Sequence, residues 1–209
     1  MTNARKVTAR LFECYPDPKL VLNFKSPLEL LVATILSAQC TDARVNEVTK
    51  GLFKKYKSAR QYAMADLKVF EEEIRPTGFY KNKAKMVTNC CKKLVEDFNG
   101  KVPSSVNKLT TLPGVGRKTA NMVLGNAFGK EEGIAVDTHV LRVSNRLGLA
   151  QSKNAEEVET ELMKQVPKGK WTSVSNAMIL FGRETCTARK PRCGECILFK
   201  ECEWPDKSS

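Results

Sequence analysis

Apolar residues recur along this chain at helical spacing, and the helical stretches are bounded by residues that cap or break helices. Segment Leu28 to Ala38 is apolar nearly all round, the pattern of a central helix buried on every side. After Thr41 and Asp42, which are placed as caps, Val45, Val48, Leu52, Phe53 and Tyr56 fall at offsets 0, 3, 7, 8 and 11. That spacing predicts a single buried stripe on an amphipathic helix. Asp66 is placed to cap a third helix (Leu67, Phe70, Ile74) that must stop before Pro76 and Gly78. Asn82 is placed to cap a fourth, which carries Val87, Cys91, Leu94, Val95 and Phe98 and is closed by Gly100. A last helix follows Trp171, with Val174, Ala177, Met178 and Phe181 marking its course into a cysteine-rich end. No segment reads as a convincing strand, and no repeat or long linker divides the chain. The expectation is an all-α fold.

Charge narrows the partners. The 209 residues include 35 lysines and arginines against 23 acids, a formal net charge of +12, while 42% are hydrophobic. Such a balance favours a polyanion through counterion release, and nucleic acid is the default polyanion. No apolar run is long enough for a membrane span. Nothing from Met1 to Glu13 resembles a secretory signal, so a cytoplasmic, non-secreted protein and reduced thiols are expected.

Candidate chemistry begins at Leu112-Pro113-Gly114-Val115-Gly116-Arg117-Lys118-Thr119-Ala120, between a short helix near Ser105 to Leu109 and a longer one. Two glycines in such a connection permit close approach of a ligand to the backbone. Amides at the start of the second helix then point outward and suit a phosphate. This pattern looks like a helix-hairpin-helix, which makes Gly114, Val115, Gly116 and Arg117 candidate contacts to a DNA backbone. At about 100° per residue, Ala120, Val123, Leu124 and Ala127 lie about 200°, 140°, 240° and 180° from Lys118, so the lysine faces away from the core. A cation on the first turn opposes the helix dipole, and an amine poised as a nucleophile would account for that placement. Asp137, in Val136-Asp137-Thr138-His139, reads equally as an N-cap and as a catalytic carboxylate. The loop from Phe128 to Val136 is long enough to bring it back towards Lys118. His139, the only histidine, is left out of the chemistry.

Four cysteines, Cys186, Cys193, Cys196 and Cys202, close the chain with spacing C-x6-C-x2-C-x5-C. Clustered thiolates in a reducing compartment imply a metal, but this spacing matches neither paired zinc knuckles nor the common ferredoxin patterns. Zinc and iron–sulfur both stay open on spacing alone.

Taken in order, these motifs resemble the endonuclease III family of bifunctional DNA glycosylase/AP lyases of base excision repair. The resemblance runs from Leu28-Glu29-Leu30-Leu31 and Leu36-Ser37-Ala38-Gln39 through Leu112 to Ala127 and Val136 to His139, ending at the four cysteines. It implies a [4Fe-4S] cluster held by those cysteines, Lys118 as nucleophile and Asp137 as its acid–base partner. It further implies a six-helix domain over residues 21–132 and a cluster domain formed by residues 1–20 and 133–209, flanking a DNA-binding cleft. Gln39 resembles the glutamine that fills the gap left by a flipped base, and Phe79 occupies the position of an apolar wedge into the opposite strand. Lys83, Lys85, Arg189, Lys190 and Arg192 are expected to touch phosphates. The implied substrate is double-stranded DNA with oxidised pyrimidines or abasic sites, bound by a monomer associated with the nucleoid. Adenine-mismatch glycosylases share this fold but carry a carboxylate in the central helix and lack the hairpin lysine. Leu30 to Ala38 contains no acid, and Lys118 is present.

Overall fold

In a computed structural model that describes residues 3–208, the chain forms eleven α-helices and, among the described residues, no strand. It divides into two compact units, one made of Leu20–Lys130 and the other of Met1–Lys19 with Glu131–Ser209.

The central unit is built around α2 (Pro27–Leu36). Ser26 caps it through a bond from the Glu29 amide, and every residue from Leu30 to Leu36 is buried, as its unbroken apolar surface requires. The helix ends two residues earlier than expected, at Leu36. Around it lie α3 (Asp42–Lys55), α4 (Ala59–Ala63), α5 (Leu67–Ile74), α6 (Tyr80–Phe98), α7 (Val106–Leu109) and α8 (Arg117–Phe128). Helix α2 packs on α3, α6 and α8, and α6 packs on α4 and α5. Tyr62, Phe70, Leu94 and Leu124 are among the largest side chains fully buried there. Thr41 and Asp66 cap α3 and α5 as expected, by bonds from the Arg44 and Val69 amides. Asn82 does not cap α6. The helix starts three residues earlier, with Phe79 as a left-handed N-cap residue, and Asn82 lies exposed in its first turn.

The second unit holds α1 (Asn3–Cys14), α9 (Thr138–Arg146), α10 (Ala155–Gln165) and α11 (Trp171–Glu184). Val7 and Leu11 of α1, Val140 and Val143 of α9, Val158 and Leu162 of α10 and Val174, Met178 and Phe181 of α11 form one apolar core. After Glu184 the described residues form one short 3-10 helix, Cys193–Glu195, so the cysteine segment gains little from helical hydrogen bonds.

Candidate functional site

The hairpin between α7 and α8 is held tightly. Leu112 and Val115 are buried, and the Val115 amide donates to the Leu112 carbonyl at 3.1 Å. Val115 therefore anchors the turn from inside and offers neither its side chain nor its amide to a ligand, which corrects its expected role as a contact. Gly114 has φ +78°, and a Cβ there would stand 3.3 Å from Met86 Cβ. Both the left-handed backbone and the close approach call for glycine. Gly114→Ala is expected to cost about 1–3 kcal/mol in a denaturant titration. Around Gly116 the space is open, with nothing within 4 Å of where a Cβ would be, and as the N-cap of α8 it supplies no side-chain acceptor. A helix start of this kind faces a ligand without crowding it. Arg117 and Lys118 are exposed on the first turn, whereas Ala120, Val123 and Leu124 are fully buried on the opposite side.

Two further candidates stand on strained backbone. Gln39 is exposed at φ 51°, in the turn after α2 rather than at the helix end itself, and Phe79 is 63% exposed at φ 47°. Only one other non-glycine residue, Asn99 at the C-terminus of α6, shares this left-handed conformation among the described residues. Asn tolerates it at helix ends, but for Gln and Phe it is unusual and points to a constrained task. Lys85 is exposed, as a phosphate contact requires. Lys83 is not: it is 3% exposed, and its ammonium donates to the Thr77 carbonyl at 2.7 Å. The expected phosphate contact by Lys83 therefore gives way to an internal bond, because Lys83 shares a helical stripe with the buried Val87, Cys91 and Leu94.

In the second unit Asp137 is the N-cap of α9. Its Oδ1 accepts from the His139 and Val140 amides, both at 2.8 Å, and Oδ2 carries no hydrogen bond among the described residues. A half-buried carboxylate with one oxygen committed to structure keeps the other for chemistry. His139 is taken up by Arg142, whose Nη2 lies 3.2 Å from its Nδ1, and burial lowers the pKa of the ring. Neither feature suits a general base aimed at a substrate.

The four terminal cysteines line one pocket, walled also by Phe181 and Trp204. Four soft thiols lining one pocket beside aromatic rings are the kind of donor set that an iron–sulfur cluster takes. Burial raises the pKa values of Cys196 and Cys202, so metal ligation there must displace protons. The surrounding cations were not apparent from motif reading. Arg146 donates to Cys186 Sγ at 3.4 Å and to the Thr187 carbonyl at 2.8 Å, and stacks 3.8 Å from the Trp204 ring centre. Arg142 bonds the Cys186 carbonyl, and Lys207 the Cys202 carbonyl. The signal for the two arginines was their four-residue spacing, which puts them on one face of α9. Arg189 and Lys190 are exposed, but Arg192 bonds the Glu184 carbonyl and pairs with Glu195 at 3.8 Å. It therefore ties the loop to the end of α11, which leaves less of its guanidinium for a phosphate.

Cys202→Ser, or stripping iron with a chelator, is expected to lower the melting temperature by about 10 °C, equivalent to about 3 kcal/mol. Proteolysis should then open the segment after α11 first. An unchanged melting curve with iron absent would show that the segment folds without metal.

Comparison with known proteins agrees with this geometry. Residues 32–168 match the HhH-GPD superfamily of base excision DNA repair proteins, and residues 186–202 match the iron–sulfur binding domain of endonuclease III. The endonuclease III of Synechocystis sp. is 49% identical over 95% of this chain and 91% of its own length. That of Escherichia coli K12 is 45% identical over 97% and 95%. A solved trapped endonuclease III–DNA covalent intermediate superposes with a TM-score of 0.92 at 45% identity, covering 97% of this chain and 96% of that one. A thermostable thymine-DNA glycosylase shares the fold at a TM-score of 0.89 and 22% identity. With a [4Fe-4S] cluster as its cofactor and a helix-hairpin-helix as its DNA grip, the chain belongs to the endonuclease III family.

Proposed function

We propose that this chain excises oxidised pyrimidines from double-stranded DNA and nicks the resulting abasic site, with Lys118 as the nucleophile and Asp137 as its acid–base partner. The observation that carries the reading is an exposed lysine on the first turn of the helix that leaves a glycine-hinged DNA grip. A stacked base is out of reach, so the damaged nucleotide must first leave the helix, at a cost that damage itself reduces. The Lys118 amine then attacks C1′ of the sugar, and the C1′–N bond breaks with the electron pair leaving on the base. The sugar ring then opens, the C1′–O4′ bond breaking as the nitrogen lone pair forms the C=N bond and O4′ taking a proton, and the Schiff base so formed acidifies C2′ and permits β-elimination of the 3′ phosphate. Asp137 Oδ2 takes the lysine proton and offsets positive charge as it builds on the sugar.

Gln39 and Phe79 fill the space vacated by the flipped nucleotide and enter the opposite strand, with their strained backbones holding both side chains outward. Gly114, Gly116, Arg117, Lys85, Arg189 and Lys190 hold phosphates, and Arg192 does so only with the part of its guanidinium left free by Glu184. Cys186, Cys193, Cys196 and Cys202 ligate the cluster, which orders the segment bearing those cations. The protein acts as a monomer.

A panel of duplexes carrying an abasic site, thymine glycol, uracil or an A:G mismatch tests this, each with borohydride present. Thymine glycol and abasic duplexes should be nicked and trapped covalently on the protein. Base loss without nicking would replace the reading with a monofunctional glycosylase, and binding without any product would leave only a DNA-gripping module.

A further inference from the structure

The Phe79 turn is an unstable conformation presented to solvent. Gly78 and Phe79 both have positive φ, 70° and 47°, and Phe79 holds a large apolar ring 63% exposed. Left to itself such a step relaxes: the non-glycine residue returns to negative φ, and the ring folds onto the nearest apolar surface. Something must hold it open.

Lys83 is the residue placed to do so. Its main-chain amide donates to the Phe79 carbonyl at 3.1 Å, and its side-chain ammonium reaches back under the turn to the Thr77 carbonyl at 2.7 Å. One residue thus grips the chain on both sides of the Gly78–Phe79 step. The Thr77 hydroxyl adds a bond to the Ile74 carbonyl at 2.7 Å, and the Gly78 amide one to the Arg75 carbonyl, which anchor the approach to the turn. An apolar side chain as long as lysine would fill the same buried space without desolvating a charge, but it could not bind the Thr77 carbonyl. Burial lowers the pKa of Lys83, while the Cys40 thiol lies near enough to pull it back up. Cys40 follows Gln39, so the same ammonium stands beside the second left-handed turn.

We infer that Lys83 is a positioning residue that clamps the left-handed Gly78–Phe79 step and so holds Phe79 ready to enter DNA. The inference rests on the reading of Phe79 as the wedge into the opposite strand. It assigns Lys83 to substrate opening rather than to phosphate contact or to the chemical step.

The test compares Lys83→Met, Phe79→Ala and the double variant in single-turnover excision from a thymine glycol duplex, and in borohydride trapping on an abasic single strand, which has no opposite strand to enter. Lys83→Met is expected to slow duplex excision about tenfold while single-strand trapping stays within about twofold. In the Phe79→Ala background it should cost no more than about twofold further, because the ring it positions is gone. Lys83→Gln, which can donate part-way to Thr77, should recover part of the loss. It also serves as the probe if Lys83→Met does not fold, and must then show a smaller loss with the same duplex selectivity. Multiplying losses in the double variant, or equal losses on both substrates, would overturn the inference by making Lys83 a general structural residue. Normal excision by Lys83→Met beside an impaired Phe79→Ala would overturn it too while sparing the wedge. An unimpaired Phe79→Ala would remove the wedge reading itself, and this inference with it.

Discussion

Lys118→Ala abolishes the borohydride-trapped adduct with an abasic duplex and lowers nicking by about 10³-fold or more, while the melting temperature stays where it was. The two halves of this expectation have separate grounds. The chemistry goes because no other amine stands on that turn of α8: the position before it is Arg117, whose guanidinium stays protonated and does not form the Schiff base. The fold stays because Lys118 is exposed, and the core side of α8 is built from Ala120, Val123 and Leu124. Removing a cation from the first turn even relieves an unfavourable contact with the helix dipole. Duplex affinity should fall only modestly, since the hairpin amides and Arg117 remain. Persistence of the adduct in Lys118→Ala would move the nucleophile elsewhere and end the proposed mechanism.

Asp137→Asn is expected to reduce excision by about 10²- to 10³-fold with almost no loss of stability. Asparagine caps helices as well as aspartate does, so its Oδ1 can still accept from the His139 and Val140 amides. What it lacks is the charge and proton affinity of the second oxygen. Asp137→Ala removes both functions and should cost about 1 kcal/mol of stability in addition. Thermal melting and single-turnover kinetics on the same two variants therefore separate the cap from the catalyst. Equal activity in wild type and Asp137→Asn would reduce Asp137 to a cap alone.

Much of the site was legible because its signals are local. Thr41, Asp66 and Asp137 cap helices through amides two or three residues away, and such bonds depend on almost nothing else in the chain. The outward direction of Lys118 followed from the angular spacing of four apolar neighbours. The hairpin was readable because two glycines beside a proline admit few backbone paths. Helices α4 and α10 were missed: α4 has only five residues, and the stripe of α10, with Val158 and Leu162, is narrow and set among acids.

Lys83 and Lys85 show where local reading stops. They lie about 200° apart on one helix, and both are lysines in the first turns of α6. Periodicity already placed Lys83 in register with Val87, Cys91 and Leu94, but a lysine in an apolar stripe is normally taken for the edge of that stripe. Its burial was decided by tertiary packing, and it became affordable only because the Thr77 carbonyl was there to meet the ammonium. The left-handed turns at Gln39 and Phe79 have the same origin, since neither residue prefers positive φ and only surrounding contacts hold it there. The two arginines of α9 likewise meet the first of the terminal cysteines across about 40 residues of chain. The sequence by itself determined most of the helices, the caps at Thr41, Asp66 and Asp137, the hairpin and the spacing of the four cysteines, because those depend on neighbours a few positions away. Tertiary packing alone decided which cations stay exposed and which are spent inside the protein, because burial depends on residues far apart in the chain.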